Sequence, residues 1–323
     1  MRISAAIGLT AAALALAVGP AKAQTDWPAR TVTVVVPVNP GGGADAQAHL
    51  TAEGLSKVLG QTFVLDFRPG ASMMLGSNLV VRSKPDGYTI LFSASTAVVN
   101  AALNPNVPYD PEVDLLPVAR TTGTPSYISA HIKAPFDTYD ELIEYAKANP
   151  GKVNAGVAGI GSTGHFSMSV VESKQGVKFN MVPYTGAGAI LPDLMSGTVD
   201  ITFGNATGYI SAVKAGRVKY IAAMSKNRSP LFPDVPAIGE SKYPGAYASS
   251  WYGITVPKGT PPEIVRKLNE ATVTVLKDPE VVKRISALGF DVIAGTPEEM
   301  GQEIKEGIAE KKALIDSGII TLK

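Results

Sequence analysis

Val35-Val36-Pro37-Val38-Asn39-Pro40-Gly41-Gly42-Gly43-Ala44-Asp45-Ala46 is the stretch on which the reading of this chain turns. A β-branched apolar run, Thr31–Val38, stops at a glycine-rich turn, and an amphipathic run begins at Ala44. The order predicts strand, loop and helix. It aims the free N–H groups of a first helical turn, and the positive end of the helix dipole, at one point. Such a point suits an anion.

A second unit of the same kind follows. The expected strand Asn154–Ala158 runs into Gly159-Ile160-Gly161-Ser162-Thr163-Gly164, with His165 next, and a helix begins at Thr163. Both loops meet the G-x-G-x-x-G/A fingerprint of dinucleotide sites, and Asp66 ends the strand after the first. No acidic residue ends the strand after the second, Phe179–Pro183. Two helix N-termini facing each other across a cleft can instead grip one anionic ligand from both sides. Closing the cleft would bury it.

The residue types near these loops narrow the anion. Positions 35–49, 93–100, 156–167, 183–189 and 203–208 hold neither Lys nor Arg. They offer Asn39, Ser93, Ser95, Thr96, Asn100, Ser162, Thr163, Tyr184, Thr185, Asn205 and Thr207. Neutral donors and dipoles suit reversible binding of a carboxylate.

Composition sets the outer limits. Met1–Ala23 reads as a secretory signal: Arg2, an apolar run Ala5–Val18, and the small-x-small site Ala21-Lys22-Ala23. Cleavage after Ala23 would start the mature chain at Gln24 and place it in the periplasm, where NAD is scarce. No later stretch is apolar for long enough to span a membrane, so no membrane insertion of the mature chain is expected. The sequence has no cysteine, which excludes disulfides, thiolate catalysis, cysteine metal sites and a lipid-anchored N-terminal cysteine. A formal net charge of +1 gives no electrostatic case for nucleic acid.

The mature chain alternates strand-like and helix-like stretches, which favours parallel sheets covered by helices. Strands are expected at 31–38, 62–67 and 89–93, with helices at 44–59 and 75–81. A Pro- and Asn-rich loop, 104–111, follows. Leu115–Thr122 and Tyr127–His131 then lead into a second alternating set that ends near Ala223. Trp251–Pro257 reads as a strand, and Pro261–Lys277 and Pro297–Ser317 as helices. The expected organisation is α/β in two domains: 24–122 with 248–323, and 123–247, with hinges near 122 and 248.

Trp27-Pro28, Val35-Val36-Pro37, Pro40-Gly41-Gly42-Gly43-Ala44-Asp45, Arg68-Pro69-Gly70-Ala71, Lys84-Pro85-Asp86-Gly87-Tyr88-Thr89, Pro108-Tyr109-Asp110-Pro111, Asn149-Pro150-Gly151-Lys152, Val182-Pro183-Tyr184, Pro233-Asp234-Val235-Pro236, Ser250-Trp251-Tyr252-Gly253 and Gly259-Thr260-Pro261-Pro262 occur in this order. The ordered set resembles the Bug-type extracytoplasmic solute receptors, the binding proteins of tripartite tricarboxylate transporters. The resemblance covers essentially the whole mature chain. It implies a two-domain periplasmic binding protein of the type II, Venus-flytrap kind, monomeric and non-enzymatic. Such a protein closes around a small carboxylate and delivers it to membrane transporter components, without cofactor or metal. By motif match, Gly41 to Asp45 and Gly161 to His165 are the two gripping loops, with ordered waters bridging the ligand to the first domain. Tyr184-Thr185-Gly186 and Asn205 match further cleft-lining positions.

The chain departs from the family pattern at three places. Val38-Asn39 stands where an aromatic residue and a proline are usual. Ser72-Met73-Met74 replaces Gly-Gly-Asn, and Gly204 stands where an Asp is frequent. Fewer acids and added thioethers favour a dicarboxylate or an aromatic carboxylate over an amino acid. The ligand-binding set expected on these grounds is Asn39, Gly41, Gly42, Gly43, Ala44, Asp45, Ser72, Met73, Ser95, Thr96, Gly161, Ser162, Thr163, His165, Tyr184, Thr185 and Asn205.

Competing readings exist for the same residues. Ser162 and His165 invite a hydrolase, but Ile160 occupies the first glycine of the nucleophile-elbow pattern, and a helix-capping Ser is the simpler reading. His49, His131 and His165 lack metal-ligand spacing. Asp45 reads as a helix-start residue, because a carboxylate would repel an anion. A receptor of the same fold that signals to a sensor protein is the other alternative.

Overall fold

The computed structural model describes residues 27–320 apart from 42 and 105, and Ser72 without its side chain. The export signal expected over 1–23, Gly42, and the Ser72 side chain therefore lie outside the described residues. The strands are β1 (Val32–Val36), β2 (Phe63–Phe67), β3 (Thr89–Ala94), β4 (Leu115–Pro125), β5 (Tyr127–His131), β6 (Asn154–Val157), β7 (Asn180–Pro183), β8 (Ile201–Gly204), β9 (Val218–Ala223), β10 (Ser249–Pro257) and β11 (Asp291–Val292). The helices are α1 (Gly43–Leu59), α2 (Met74–Val81), α3 (Ser95–Leu103), α4 (Tyr139–Ala148), α5 (Thr163–Gln175), α6 (Ala187–Ser196), α7 (Ile210–Lys214), α8 (Pro262–Leu276), α9 (Pro279–Ala287) and α10 (Pro297–Asp316).

Two sheets result. The first has the order β11-β4-β10-β3-β1-β2 and the second β7-β6-β8-β5-β9. Strands β1, β2 and β3 pair in parallel, as do β6, β7 and β8. Antiparallel pairing enters at β10, which runs antiparallel to both β3 and β4, and at β5, antiparallel to β8 and β9. These are the strands next to the crossings: Ser126 alone joins β4 of the first sheet to β5 of the second, and β10 re-enters the first sheet after the segment 224–248.

That crossing is tied by backbone. Ser126 N–H donates to the Ala248 carbonyl (2.8 Å), Ala248 N–H to Met224 (2.9 Å), and Met224 N–H to Ser126 (2.7 Å). A closed set of three bonds thus joins the segments that pass between the sheets.

Each sheet is covered on both faces. On the first, Ala48 and Leu55 of α1 and Leu268 and Val275 of α8 bury Val34, Phe92 and Ile254. The two helices approach so closely that a β-carbon on Gly54 would stand 2.3 Å from Val275 Cγ1. On the second, Leu142 and Ile143 of α4 and Val171 of α5 pack against Ile128, Ala155 and Ile201. Burial on both faces explains why β1 reads Val-Thr-Val-Val-Val, without polar alternation. Helix α10 touches both sheets' cores. Met300, Ile304 and Ile308 pack with Val98 and Trp251, while Leu314 joins the cluster around Ile128.

Sequence reasoning missed α3 and α9. Helix α3 has no side-chain cap and is rich in β-branched residues, so it carries no start signal and is held by burial of Ala97, Val98 and Ala101. Helix α9 does carry one: Asp278 accepts from Glu280 N–H, and Pro279 follows it.

Candidate functional site

The carboxyl ends of β1 in one sheet, and of β6, β7 and β8 in the other, lead through a short connection into a helix or helical turn, and β3 runs straight into α3. Such an edge is where open α/β sheets bind ligands. Several contacts bring the two edges together. The Thr96 and Thr163 hydroxyls, from the first turns of α3 and α5, are hydrogen-bonded at 3.1 Å. Ser250 Oγ of β10 donates to Asn205 Oδ1 at 3.0 Å. Ser229 Oγ donates to the Asp291 carboxylate at 3.1 Å, and burial raises the pKa of that carboxyl. A β-carbon on Gly289 would stand 2.4 Å from Thr207 Cγ2.

In the first loop, Gly41 has φ +98°, a conformation that favours glycine. Its N–H donates to Asp45 Oδ2 at 2.7 Å, and Asp45 Oδ1 lies 3.3 Å from His49 Nε2. Asp45 is the third residue of α1, so its carboxylate sits where the dipole is positive and partly offsets it. Gly43 lies beside the Phe290 ring, 3.4 Å from where a β-carbon would be. Phe290 packs edge-on to Tyr252, which stacks on Phe92 with centroids 5.5 Å apart. Asn39 is exposed, Val38 packs into the first core, and Ala44 is buried.

The second loop repeats the device with different chemistry. Gly159 and Gly161 have φ of +105° and +76°. Gly161 N–H donates to His165 Nδ1 at 3.0 Å, again four residues on and again to the third residue of the helix. Ser162 caps α5 by accepting from His165 N–H at 3.2 Å. Helical geometry leaves the N–H groups of Thr163 and Gly164 without an intrahelical partner. His165 is only 4% exposed, and burial lowers its pKa below the ordinary 6.5. A neutral ring with Nδ1 accepting is the form that this bond requires. His165 therefore organises the loop, and its Nδ1 is not free for a ligand. The hydroxyl of Ser162 is bonded to backbone rather than to the imidazole, which is not the arrangement of an activated nucleophile. A β-carbon on Gly164 would stand 2.5 Å from the Phe203 carbonyl oxygen, so α5 is pressed directly onto β8.

The remaining expected residues spread around these two loops. Ser95 opens α3, and its Oγ accepts from Trp251 N–H at 3.2 Å. Asn205 spends its carbonyl on Ser250 and keeps its amide hydrogens. Tyr184 donates its hydroxyl to Asp193 Oδ2 at 2.6 Å; desolvation and this partner push the phenol up to about 12. Thr185 is exposed ahead of α6, which has no side-chain cap. Met73 stands ahead of α2 with φ 75°, a left-handed conformation in which an L side chain is strained. The family pattern has glycine there. Asp66, the acid of the dinucleotide fingerprint, is held by Arg68 Nε at 3.0 Å.

A cavity of about 680 Å³ lies between α3, α5, α10 and the crossing strands. Ser95, Thr96 and Thr163 form part of its wall; among the described residues, Gly41, Gly43, Asp45, Met73, Gly161, Ser162, His165, Tyr184, Thr185 and Asn205 do not. Its other walls, including Val99, Phe166, Trp251 and Ile304, were not singled out in the sequence. Trp251 lies in β10, which is buried almost throughout, so no alternation along the strand marks which of its side chains line the cavity. Among the described residues no three His, Cys, Asp or Glu side chains cluster to hold a metal, and no helix is long and apolar enough to cross a membrane.

Comparison with known proteins adds an independent line. The family described as tripartite tricarboxylate transporter family receptor, TctC, matches residues 48–319. Protein BugT of Bordetella pertussis is 34% identical over 300 residues, 92% of this chain and 91% of that protein. Among solved structures, Rpa4515 of R. palustris with adipate is 32% identical at a TM-score of 0.77, covering 92% of this chain and 99% of its own. MatC of Rhodopseudomonas palustris with bound malate is 32% identical at 0.72, covering 88% and 98%.

Proposed function

The chain belongs to the tripartite tricarboxylate transporter receptor family, TctC, and from that premise we propose that it is a periplasmic solute receptor that captures a carboxylate between its two glycine loops. The mature chain starts at Gln24. The first lobe comprises 24–122 with 248–323 and the second 123–247, and they close about the crossing at Ser126 and Ala248. The loaded monomer hands its ligand to membrane transporter components and performs no chemistry on it.

What supports this reading is that the N-termini of α1 and α5 are each organised by their own loop, in two sheets whose carboxyl edges touch. Each loop is set by an internal Gly N–H bond, and the two edges meet at Thr96 and Thr163. The first-turn N–H groups and hydroxyls there are neutral donors, suited to an anion that must later be released. Adipate and malate in the two R. palustris relatives support a carboxylate as the class. The test is a thermal-shift and calorimetric screen of the purified mature chain with adipate, malate, benzoate and free amino acids. Stabilisation by the dicarboxylates or benzoate is expected. Stabilisation by amino acids alone would overturn the reading of the ligand.

A further inference from the structure

We propose that the cavity under α10 is an annex of the carboxylate site that takes the apolar body of the ligand. The receptor's ligands then include carboxylates that carry an aryl or bulky alkyl group. This rests on the carboxylate reading above and names the other half of the ligand.

Helices α3 and α5 both border the cavity, and Ser95, Thr96 and Thr163 of their first turns form part of its wall. One turn further along the same helices stand Val98, Val99 and Phe166, which with Trp251 and Ile304 supply the apolar part of the wall. A threonine suits such a boundary, with a hydroxyl for the polar half of a ligand and a methyl for the other. The volume, about 680 Å³, lies within the range that encloses a drug-sized molecule, ~300–1,000 Å³. It also equals roughly twenty waters at ~30 Å³ each, far more than the carbon chain of a short diacid fills.

Charge decides against a second carboxylate inside. The acids at the cavity are Asp291, Glu303, Glu306 and Glu310, against Arg120, Lys226 and Lys311. Arg120 is already paired with Glu303 at 2.7 Å, and Lys311 with Glu310. Setting those two pairs aside, Asp291 and Glu306 remain against Lys226, so a carboxylate placed there would meet more acid than base, whereas an aryl group would gain from burial.

Gly307 of α10 offers a direct test. It lines the cavity, and a β-carbon there meets nothing within 4 Å. Gly307→Leu fills the space while favouring the helix. Butyrate, phenylbutyrate and adipate are titrated calorimetrically against the wild type, Gly307→Leu and Val99→Phe. Phenylbutyrate is expected to bind the wild type more tightly than butyrate does. Both variants should weaken phenylbutyrate by about tenfold or more through lost apolar burial, leaving butyrate and adipate unchanged. Equal affinity for butyrate and phenylbutyrate, or variants that weaken all three alike or none, would overturn the annex alone. Binding of none of the three to the wild type would overturn the carboxylate reading beneath it as well.

Discussion

In the loop after β1, the N–H of Gly41 donates to the carboxylate of Asp45; in the loop after β6, the N–H of Gly161 donates to the imidazole of His165. The geometry is shared: a glycine N–H bonds the side chain four residues on, at the third position of the helix that follows. The electrostatics are opposite. Asp45 brings negative charge to the positive end of α1, while His165 is buried and neutral and leaves the end of α5 uncompensated. The packing differs too. Helix α5 lies against the backbone of β8 at Gly164, whereas Gly43 faces only an aromatic ring. In the proposed clamp the second loop would then be the more tightly packed and more positive half, and the first the less constrained one.

Packing gives the largest expected effect. Gly164→Ala should cost about 2 kcal/mol or more, since its β-carbon would overlap a main-chain oxygen that cannot yield. Gly43→Ala should cost under about 1 kcal/mol, because the facing ring can shift by tenths of an ångström. Urea unfolding of the two variants reads the difference, and equal losses would erase the distinction.

The next effect is at the imidazole. His165→Ala leaves the Gly161 N–H without its partner and should destabilise by about 1–2 kcal/mol, while His165→Asn, which restores an acceptor near Nδ1, should lose less. The pH dependence follows from the lowered pKa. The unfolded imidazole takes up a proton near its ordinary 6.5, and the folded one only at lower pH. Between those values the unfolded state binds more protons, so this contribution is complete above 6.5 and is lost as pH falls towards the folded value. Melting temperatures of the wild type should fall across that window, relative to His165→Asn. Parallel curves for the two would remove His165 from the loop's support.

The smallest effect tests the charge itself. Asp45→Asn keeps an oxygen acceptor for Gly41 and removes a negative charge from the anion's side of α1. It should tighten carboxylate binding by about 0.3–1 kcal/mol, roughly two- to fivefold, and more so at low salt. Unchanged or weaker affinity by calorimetry would mean that the first loop does not face the ligand's charge.

How far the chain could be read in advance follows the same divide. The helices α1, α5, α8 and α10 declare themselves by glycine, cap or proline signals next to an apolar period. Helix α3 has none of these and stays hidden until Ala97, Val98 and Ala101 are buried. A histidine beside a glycine loop, as at His165, says nothing in sequence about which way its ring turns; the structure gives its Nδ1 to the Gly161 N–H. Val38-Asn39 departs from the family pattern, and only the structure separates the two, Val38 packing against the first core and Asn39 lying exposed.

The sequence by itself determined the two strand–glycine–helix units, their neutral donors and the absence of nearby cations. These are local properties, complete within about ten residues, and they follow from glycine's freedom at positive φ and the orphan N–H groups of a first helical turn. Only the tertiary structure decided that the two edges meet. Thr96 and Thr163 are 67 positions apart, and Asn205 and Ser250 are 45 apart. Their contacts depend on how β4 and β10 cross between the sheets, a path that no local periodicity encodes. The cavity under α10 belongs to the same category, since its walls are drawn from Ser95 through Lys311 and exist only once both sheets are closed against one helix.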